Sequence, residues 1–457
     1  MSFAKLEEFI FAKMSETKLP GLSAAVVKGE EVVWAKAFGF RDLDHGLAAT
    51  PHTLYGIGSV TKSFTALSIM QLAEQGKLNI DDPVEAHVPF NIRPGGETVR
   101  VAHLMNHSSG IPALAYAEAV IRGATGAGEN WFPIASCNDL LTFMADAQEW
   151  TLARPGERWF YLNEGYAILG YIIEKCSGLP YEEYVQKHVL APLGMERSFF
   201  SKEAVERDPD AATPYIITRE GERKPSTYLY GGISADGALI SNVLDLSRYV
   251  AMYLNGGEYG GARVLSPESV AAMAAPQIAL PSQGPFGERS YGYGLSIASD
   301  FLGHKLVGHG GSVLVATAYI GFIPQQGLGI ALLANGSGYP LSQLGIYGLA
   351  ILLEQEPESL PFVQREKALT ELVGAYETYK GTMKAQVKRK GDFLTIEITD
   401  RYNDLVVLLV PEAIEGDTRT FYTLGSGMKL PVEFCVGKAG IDLYYERYRL
   451  QKTGKLP

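Results

Sequence analysis

Hydrophobic and polar residues repeat with two different periods along this chain of 457 residues, and the change lies near residue 355. Before it, apolar residues at helical spacing predict helices at about 138–147, 165–176, 181–190, 243–254 and 266–274. Runs rich in β-forming residues predict strands at both ends of this region, in a hairpin at 22–39 and at 314–324 and 328–336. Strands from distant parts of the chain around a helical middle predict an α+β fold.

Beyond residue 372 the period becomes two, the spacing of strands with one buried face. Leu394, Ile396 and Ile398 alternate with polar residues, and the alternation recurs at 382–388 and 441–446. Turn signals such as KRKGD, EGDT, GSG and GKAG separate these runs, so we predict a small antiparallel β-barrel or sandwich. The polar stretch EQEPESLPFVQREKA precedes it. We therefore divide the chain into a first domain at 1–357, a linker at 358–370 and a second domain at 371–457.

Composition narrows the class of protein and its compartment. Hydrophobic residues make up 46% of the chain and charged residues 20%, as in ordinary globular proteins. The net charge of −11, without a basic cluster, argues against a nucleic-acid or acidic-membrane partner. The first twenty residues carry acidic side chains and no long apolar core. The three cysteines, Cys137, Cys176 and Cys435, lie far apart in the sequence. We therefore predict a cytoplasmic protein without a signal peptide, a membrane span, a disulfide framework or a zinc site.

The stretch GIGSVTKSFTALSIMQLAEQG, residues 56–76, has helical spacing. Its apolar positions define one face, made by Val60, Phe64, Leu67 and Met70. Ser59 is predicted to cap the start of this helix and Gly76 to end it. Lys62 lies one turn after Ser59, so its amine can reach the serine hydroxyl. Two interpretations follow: a capped helix with a solvated lysine, or a nucleophilic serine activated by an adjacent amine.

A second stretch, RPGERWFYLNEGYAILG, places Tyr161 and Asn163 on a turn before a helix. A phenol beside an ammonium group loses its proton more readily, so Tyr161 can act as a base for the serine and later as an acid for a leaving group. Asn163 offers a donor and an acceptor to a substrate amide. The alternative interpretation is a packed aromatic turn.

The third stretch, LVGHGGSVLVATAYIGFIP, places four candidate residues just before a strand or at its edge: His309, Gly310, Gly311 and Ser312. Paired glycines let a backbone approach a ligand closely. An exposed strand edge can supply one amide of an oxyanion hole while Ser59 supplies the other. His309 can bind a substrate carboxylate or carbonyl, or tune the Tyr161 proton. Its alternative role is that of a hydrogen-bonded turn histidine.

Taken in order, Ser-x-x-Lys, Tyr-x-Asn and His-Gly-Gly resemble the motifs of the serine β-lactamase and penicillin-binding-protein-like hydrolases, in the branch of class C β-lactamases, D-aminopeptidases, DD-peptidases and related esterases. The resemblance covers about residues 5–355 and includes PGLSAAVV, LMNHSSGIP, GGISADGALISNVLDLSRYV and YGYGL. It implies an antiparallel sheet flanked by helices, with an all-helical region. It also implies that Ser59 is acylated, that Lys62 activates it and that Tyr161 transfers a second proton.

The same resemblance assigns substrate binding to Asn163 and to the third motif, with the Ser59 and Ser312 amides as the oxyanion hole. β-Lactamases of this group usually carry a lysine where His309 stands, so we expect peptides or esters rather than β-lactams as good substrates. The C-terminal segment is similar to the lipocalin-like barrels of certain peptidases of this branch. In those peptidases the barrel is implicated in oligomer assembly and in restricting access to the active site.

We therefore expect a serine hydrolase that cleaves small peptides or amides, including peptides with D-residues, and that forms homo-oligomers through the barrel. The alternatives are a carboxylesterase, a weak β-lactamase or penicillin-binding protein, and, from another class, a non-catalytic ligand-binding or assembly protein. Acyl-enzyme chemistry needs no cofactor. His103 and His107 lie four residues apart but lack a third ligand in the same phrase, so a structural role is preferred to a metal site.

Overall fold

The computed structural model describes residues 2–128, 134–231, 234–399 and 404–454. The chain forms two compact units, Met1–Gln355 and Glu356–Pro457, each with its own core. The helices of the first unit are α1 (Ala4–Thr17), α2 (Thr61–Glu74), α3 (Val101–Met105), α4 (Tyr116–Thr125), α5 (Cys137–Phe143), α6 (Asn163–Ser177), α7 (Tyr181–Val185), α8 (Lys202–Arg207), α9 (Val243–Leu254), α10 (Pro267–Met273) and α11 (Leu341–Leu352). Its strands are β1 (Gly21–Lys28), β2 (Glu31–Asp42), β3 (Leu47–Ala48), β4 (Tyr55–Gly56), β5 (Tyr215–Ile217), β6 (Arg223–Pro225), β7 (Ile240–Ser241), β8 (Glu258–Tyr259), β9 (Ala262–Arg263), β10 (Ile278–Ala279), β11 (Arg289–Tyr291), β12 (Ser296–Phe301), β13 (His304–Ser312), β14 (Thr317–Ile323) and β15 (Leu328–Ala334).

Within the described ranges, an antiparallel sheet of nine strands forms the frame of the first unit, in the order β10-β11-β12-β13-β14-β15-β1-β2-β3. β1 and β2 pair as the predicted hairpin. β15 is buried along its whole length because a helix covers each face. Gly329 of β15 lies against Val250 of α9, and the next residue, Ile330, lies against Gly348 of α11. An uninterrupted apolar run is typical of a strand that is covered on both faces. The antiparallel sheet and the helices that cover it confirm the α+β prediction.

α2 packs against α6 and α7 inside the first unit. These surroundings contradict the prediction that only one face of the helix is apolar and buried. Every side chain from Thr61 to Leu72 is buried, so the helix is not amphipathic. Its polar side chains are instead satisfied by hydrogen bonds inside the protein. Thr65 donates to the carbonyl oxygen of Ala235 at 2.6 Å, and Gln71 donates to that of Val264 at 2.7 Å.

The predicted cap of this helix is also wrong. Ser59 lies in a 3₁₀ turn, Gly58–Val60, that leads directly into α2, and no side-chain hydrogen bond caps either segment. The serine side chain is therefore left for other contacts. Gly76 follows the last turn of α2 with a φ of +68°, as predicted for the residue that ends the helix.

The helix predicted at 243–254 forms with those bounds as α9, and the other predicted helices form with shifted ends. α5 ends at Phe143, and a separate 3₁₀ turn, Ala147–Trp150, follows it. α7 ends at Val185 and continues as a π-helical turn, Gln186–Leu190. Together with α3, α4 and α6, these helices form the helical region that the resemblance implies. Among the described residues, no helix combines the length and the apolar character needed to cross a membrane.

The second unit contains a helix and a closed antiparallel barrel of eight strands in the described residues. Their bounds are α12 (Pro361–Leu372), β16 (Gly374–Glu377), β17 (Lys384–Lys390), β18 (Phe393–Thr399), β19 (Asp404–Ala413), β20 (Thr418–Gly425), β21 (Met428–Gly437), β22 (Gly440–Tyr445) and β23 (Tyr448–Gly454). The segment predicted as a linker, 358–370, contains most of α12. Pro361 stands in the first helical turn, where its missing N–H costs no hydrogen bond, and Leu369 and Leu372 are buried with the barrel core.

Side chains of the barrel alternate between its interior and its outer surface, as their period of two predicts. On β19, Val407 and Leu409 belong to the core, and the residues between them face outwards. The outward residues of β19 and β20 are unusually apolar: Leu408 is 48% exposed and Leu424 is 68% exposed. We call this surface the β19–β20 apolar strip, made by Val406, Leu408, Val410, Tyr422 and Leu424.

Candidate active site

The first and third sequence motifs meet where β13 touches the turn before α2. A Cβ on Gly311 would lie 1.9 Å from the carbonyl oxygen of Ile57, and a Cβ on Gly58 would lie 2.7 Å from the amide nitrogen of Ser312. Only glycine permits two backbones to approach so closely. The Ser59 and Ser312 amides therefore belong to two segments that touch each other.

β13 is an internal strand of the sheet, but its last four residues have one open edge. β12 pairs with β13 only as far as Gly308, while β14 pairs with it through Ser312. The edge predicted for residues 309–312 is therefore present, although the motif lies within the strand rather than before it. All four of these residues line one cavity.

Lys62 is in contact with the serine and with the loop that precedes β7. Its Nζ lies 3.2 Å from Ser59 Oγ and donates to the carbonyl oxygen of Asp236 at 2.6 Å. Nζ also lies 5.0 Å from the ring centre of Tyr161 and 5.5 Å from that of Tyr166. Lys62 is fully buried, so these contacts hold its amine against the serine hydroxyl.

Tyr161 and Asn163 reach the same cavity from the start of α6. Asn163 is the first residue of that helix, and both side chains line the cavity together with Ser59. The ring centre of Tyr161 lies 6.4 Å from that of His309. The structure thus brings the three motifs into one cleft, although they are far apart in the sequence.

His309 has a more enclosed environment than a side chain that is free to bind substrate. Its Nδ1 lies 2.6 Å from the carbonyl oxygen of Gly310, and its Nε2 lies 2.8 Å from the hydroxyl of Tyr291. Because a carbonyl oxygen only accepts, Nδ1 carries the hydrogen and Nε2 accepts from the tyrosine. Burial, together with the charge of Lys62, lowers the pKa of His309 to about 4. The ring is therefore neutral near pH 7, with both nitrogens engaged.

A buried acidic residue that was not predicted from the sequence, Asp236, lies beside the lysine. The carboxylate of Asp236 accepts from the hydroxyl of Tyr116 at 2.9 Å, and both residues line the cavity. Burial raises the pKa of Asp236, and the charge of Lys62 opposes that rise. Asp236 lies within the phrase GGISADGALIS, but only the fold places it against a lysine 174 residues away.

A second buried carboxyl group lies behind the first. Glu164 Oε1 accepts from the backbone N–H of Tyr116 at 3.3 Å, and Glu164 is 1% exposed. Burial raises the pKa of Glu164 to about 7. The sequence gives no sign of this, since a glutamate in the first turn of a helix is an ordinary surface feature.

The cavity has a volume of about 1010 Å³, at the upper end of the usual range for small-molecule sites. Polar groups gather around Ser59, Asn163 and Asp236. The wall formed by α4 is mostly apolar, with Ala117, Val120, Ile121 and Ala124. Further apolar side chains come from other segments: Leu229, Val313, Leu314 and Leu341.

An antiparallel sheet and a helical region, with a Ser-x-x-Lys pair in a cleft beside the open end of β13, define the class of serine hydrolases with a β-lactamase-like fold. The chain matches the sequence model of the Beta-lactamase family over residues 6–352, and it belongs to that family. Residues 357–451 match a second model, the Pab87 octamerisation domain.

Two curated relatives match part of this chain. Protein flp of Staphylococcus aureus strain MW2 is 28% identical over 343 residues, which cover 72% of this chain and 62% of that protein. A putative penicillin-binding protein, PbpX of Bacillus subtilis, is 30% identical over 52% of this chain and 56% of its own length. The chain thus matches less than two thirds of the length of these curated relatives.

Two solved structures resemble the whole chain or about three quarters of it. The octameric penicillin-binding protein homologue from Pyrococcus abyssi is 49% identical, with a TM-score of 0.94 over 99% of this chain and 100% of that one. A D-stereospecific amidohydrolase from a Streptomyces species is 23% identical, with a TM-score of 0.62 over 75% of this chain and 97% of that one. This second likeness concerns the fold alone.

Proposed function

We propose that this protein is a serine hydrolase that forms an acyl-enzyme on Ser59 and cleaves amide bonds in small peptides. The observation that carries the proposal is the hydrogen bond between Lys62 Nζ and Ser59 Oγ at 3.2 Å, beside a cavity of peptide size. A hydroxyl with an adjacent amine is the arrangement expected of an activated nucleophile. Membership of the Beta-lactamase family supports the same chemistry.

In the proposed reaction, Ser59 Oγ attacks the carbonyl carbon of the substrate and its proton passes to the amine of Lys62. The negative oxygen of the tetrahedral intermediate is stabilised by the Ser59 and Ser312 amides. The C–N bond then breaks, and Tyr161 supplies the proton that the departing amine needs. Water then attacks the ester on Ser59 and gives a proton to the Tyr161 phenolate. The bond to Ser59 Oγ breaks, the acid leaves, and Lys62 returns its proton to Oγ, which restores all three groups.

Asn163 and the open edge of β13 are proposed to bind the substrate backbone. The His309 ring, held by Tyr291 and Gly310, is proposed to support that edge. No lysine stands at position 309 in this chain, which favours peptides or esters over β-lactams. Turnover of peptides with D-residues is part of the proposal, and the fold of the D-stereospecific amidohydrolase is consistent with it.

A panel of D- and L-aminoacyl amides, short esters and a penicillin tests the proposal on the purified full chain. Ser59→Ala should abolish turnover, and Ser59 should be labelled by a fluorophosphonate. Ser68→Ala is the matched control, because Ser68 is a buried serine of α2, the helix that follows Ser59, and donates within that helix to the carbonyl oxygen of Phe64. Undiminished activity in Ser59→Ala would overturn Ser59 as the nucleophile, whereas a wild type that is neither labelled nor active would favour a non-catalytic binding protein.

The main alternative reaction is ester hydrolysis. An alkoxide leaves more easily than an amine and depends less on a proton donor. Tyr161→Phe should therefore slow amide cleavage more than ester cleavage. Equal losses on both substrates would count against Tyr161 as the acid.

We also propose that the protein forms homo-oligomers through its barrel, as an octamer. The match to the Pab87 octamerisation domain supports this, and so does the octameric Pyrococcus homologue. The β19–β20 apolar strip is the surface that we assign to the contact between copies, because exposed apolar patches mark interaction sites. Location in the cytoplasm stays a prediction.

Native mass spectrometry of the full chain, with a protomer of 49.7 kDa, tests the assembly. Leu408→Glu should shift the octamer to smaller species. Tyr444→Glu on β22 is the matched control, since Tyr444 is an outward-facing apolar residue, 39% exposed, outside the strip. A monomeric wild type would contradict the assembly, whereas an octameric Leu408→Glu variant would contradict only the assigned surface.

A further inference from the structure

His103 and His107 lie four residues apart in the sequence, but the structure gives them different environments. His103, on α3, accepts the backbone N–H of Arg100 at its Nδ1, 3.1 Å away. His107 follows α3 in a turn, is fully buried and lies among the aromatic rings of the active site. The pair therefore does not converge on a metal, and His107 alone faces the catalytic residues.

Three contacts join His107 to the backbone and ring of the Tyr161 segment. Its Nδ1 accepts the N–H of Leu162 at 3.0 Å, and its carbonyl oxygen accepts the N–H of Phe160 at 2.8 Å. Its ring centre lies 4.2 Å from that of Tyr161. One residue thus holds the peptide groups on both sides of the tyrosine and packs against the tyrosine itself.

The backbone of His107 is shaped for this double contact. Its φ is +61°, a left-handed conformation that residues other than glycine rarely adopt and that asparagine and histidine adopt more readily than most. Strained backbone of this kind persists where the surrounding contacts hold it, often at functional sites.

The imidazole stays in the state that accepts the Leu162 hydrogen bond. Because Nδ1 accepts, the ring hydrogen is on Nε2. Burial lowers the pKa of His107 well below its usual value, and the charge of Lys62 lowers it further. The acceptor is therefore present at neutral pH, and the ring brings no competing positive charge next to Lys62.

We infer that His107 is a positioning residue, which fixes the hydroxyl of Tyr161 relative to Ser59 and Lys62 by binding the peptide groups before and after the tyrosine. The inference rests on the proposed role of Tyr161 in proton transfer. Small displacements of a catalytic group cost large factors in rate, so loss of these contacts should lower kcat while substrate binding changes little.

A double-mutant cycle on an activated anilide substrate separates positioning from general support of the fold. His107→Leu, which removes the acceptor, should lower kcat by about 10- to 100-fold with KM within about twofold. In a Tyr161→Phe background the same substitution should lower kcat by less than about twofold. Losses that multiply across the cycle would overturn the inference. A Tyr161→Phe variant as active as the wild type would instead overturn the proposed role of Tyr161 in proton transfer.

A second variant tests the hydrogen bond without placing a leucine at position 107, where φ is positive. His107→Asn keeps an acceptor atom at the same distance along the side chain as Nδ1, and asparagine tolerates the backbone conformation. It should recover most of the activity, and an Asn variant that folds but is as slow as His107→Leu overturns the inference. His103→Leu is the matched control, because it removes the same kind of contact outside the cavity and should leave kcat unchanged.

Discussion

α2 and the barrel strands show two ways of placing polar residues in a folded chain. The strands of the barrel have one face in the core and one face outwards, so most of their polar residues occupy outward positions. Thr395, Arg419 and Thr423 are buried exceptions. α2 has no solvent face between Thr61 and Leu72, and its polar residues make hydrogen bonds inside the protein. Most polar residues in the barrel therefore report exposure, whereas a polar residue in α2 reports a specific internal partner.

The difference determines what each region tolerates. Removing an outward side chain of the barrel exposes little new surface, while removing a polar group of α2 leaves its partner unsatisfied in the interior. The same burial gives α2 the fixed geometry that Lys62 and Ser59 need. Four experiments test this contrast.

The largest effect is expected at Lys62. Lys62→Met keeps a side chain of similar length but removes the amine that lies against Ser59, so kcat should fall by about 10³-fold, about 4 kcal/mol in the activation barrier. The rate of fluorophosphonate labelling should fall in parallel, since acylation is the affected step. A folded Lys62→Met variant with wild-type labelling would show that the amine does not activate the serine.

The next experiment compares the loss of stability after substitution of two neighbouring residues on β22. Leu443 is fully buried in the barrel, and Tyr444 faces outwards. Leu443→Ala should destabilise the barrel by about 2–5 kcal/mol by leaving a cavity, and Tyr444→Ala by less than about 1 kcal/mol. Urea titration of the full chain, followed by hydrogen exchange of β22 peptides, measures both. Similar losses at the two positions would refute the assignment of the two faces.

Burial also predicts opposite pH effects for two glutamates. The pKa of Glu164 is raised to about 7 from 4.5, so the folded state binds the extra proton and stability should fall as pH rises between these values, by about 3 kcal/mol. On the barrel, the hydrogen bond from Lys388 lowers the pKa of Glu397. That contribution is present above the unfolded pKa and is lost as pH falls.

Thermal unfolding of Glu164→Gln and Glu397→Gln between pH 4.5 and 8 checks these signs. Glu164→Gln should remove part of the decline in stability toward pH 8. Glu397→Gln should have its small effect above pH 5, reduced by the solvent around this partly exposed pair. A wild type and a Glu164→Gln variant with parallel pH profiles would contradict the raised pKa.

The smallest effect is expected when two threonines are replaced by valine and the losses of stability are compared. Thr65 Oγ1 lies 2.6 Å from the carbonyl oxygen of Ala235 and 2.8 Å from the hydroxyl of Tyr181. Thr65→Val should cost about 1–3 kcal/mol because it leaves these groups without that partner. Thr418→Val, at an exposed position of β20, should change stability by less than about 0.5 kcal/mol. Equal effects would remove the contrast between the two regions.

The sequence predicted the fold where its pattern reflects a single environment. The predictions of the barrel strands and of the β1–β2 hairpin were correct, because the residues along these strands either alternate between two environments or share one. The prediction of a single apolar face for α2 was wrong, because Ser63, Thr65 and Ser68 look like solvent-exposed positions until their buried partners are known. The helix α12 inside the predicted linker was not foreseen, because the two prolines of its polar stretch looked like chain breakers, although a proline in the first turn is compatible with a helix.

The candidate site was partly predictable for a related reason. Ser59 and Lys62 are one turn apart, so local geometry alone brings them together. The environment of His309 depends on Tyr291, on a different strand, and Asp236 reaches Lys62 only through the tertiary fold. Such partners leave no local period or spacing in the sequence.

The contact of Gly58 with Ser312 joins segments about 250 residues apart, which gives the chain an order of events. Bringing such distant segments together is a slow, non-local step of folding. A chain emerging from the ribosome has the serine and the lysine early, but it lacks the strand that completes their cleft until β13 has been made and joined to the sheet. Ser59, the proposed nucleophile, is therefore synthesised long before its cleft exists.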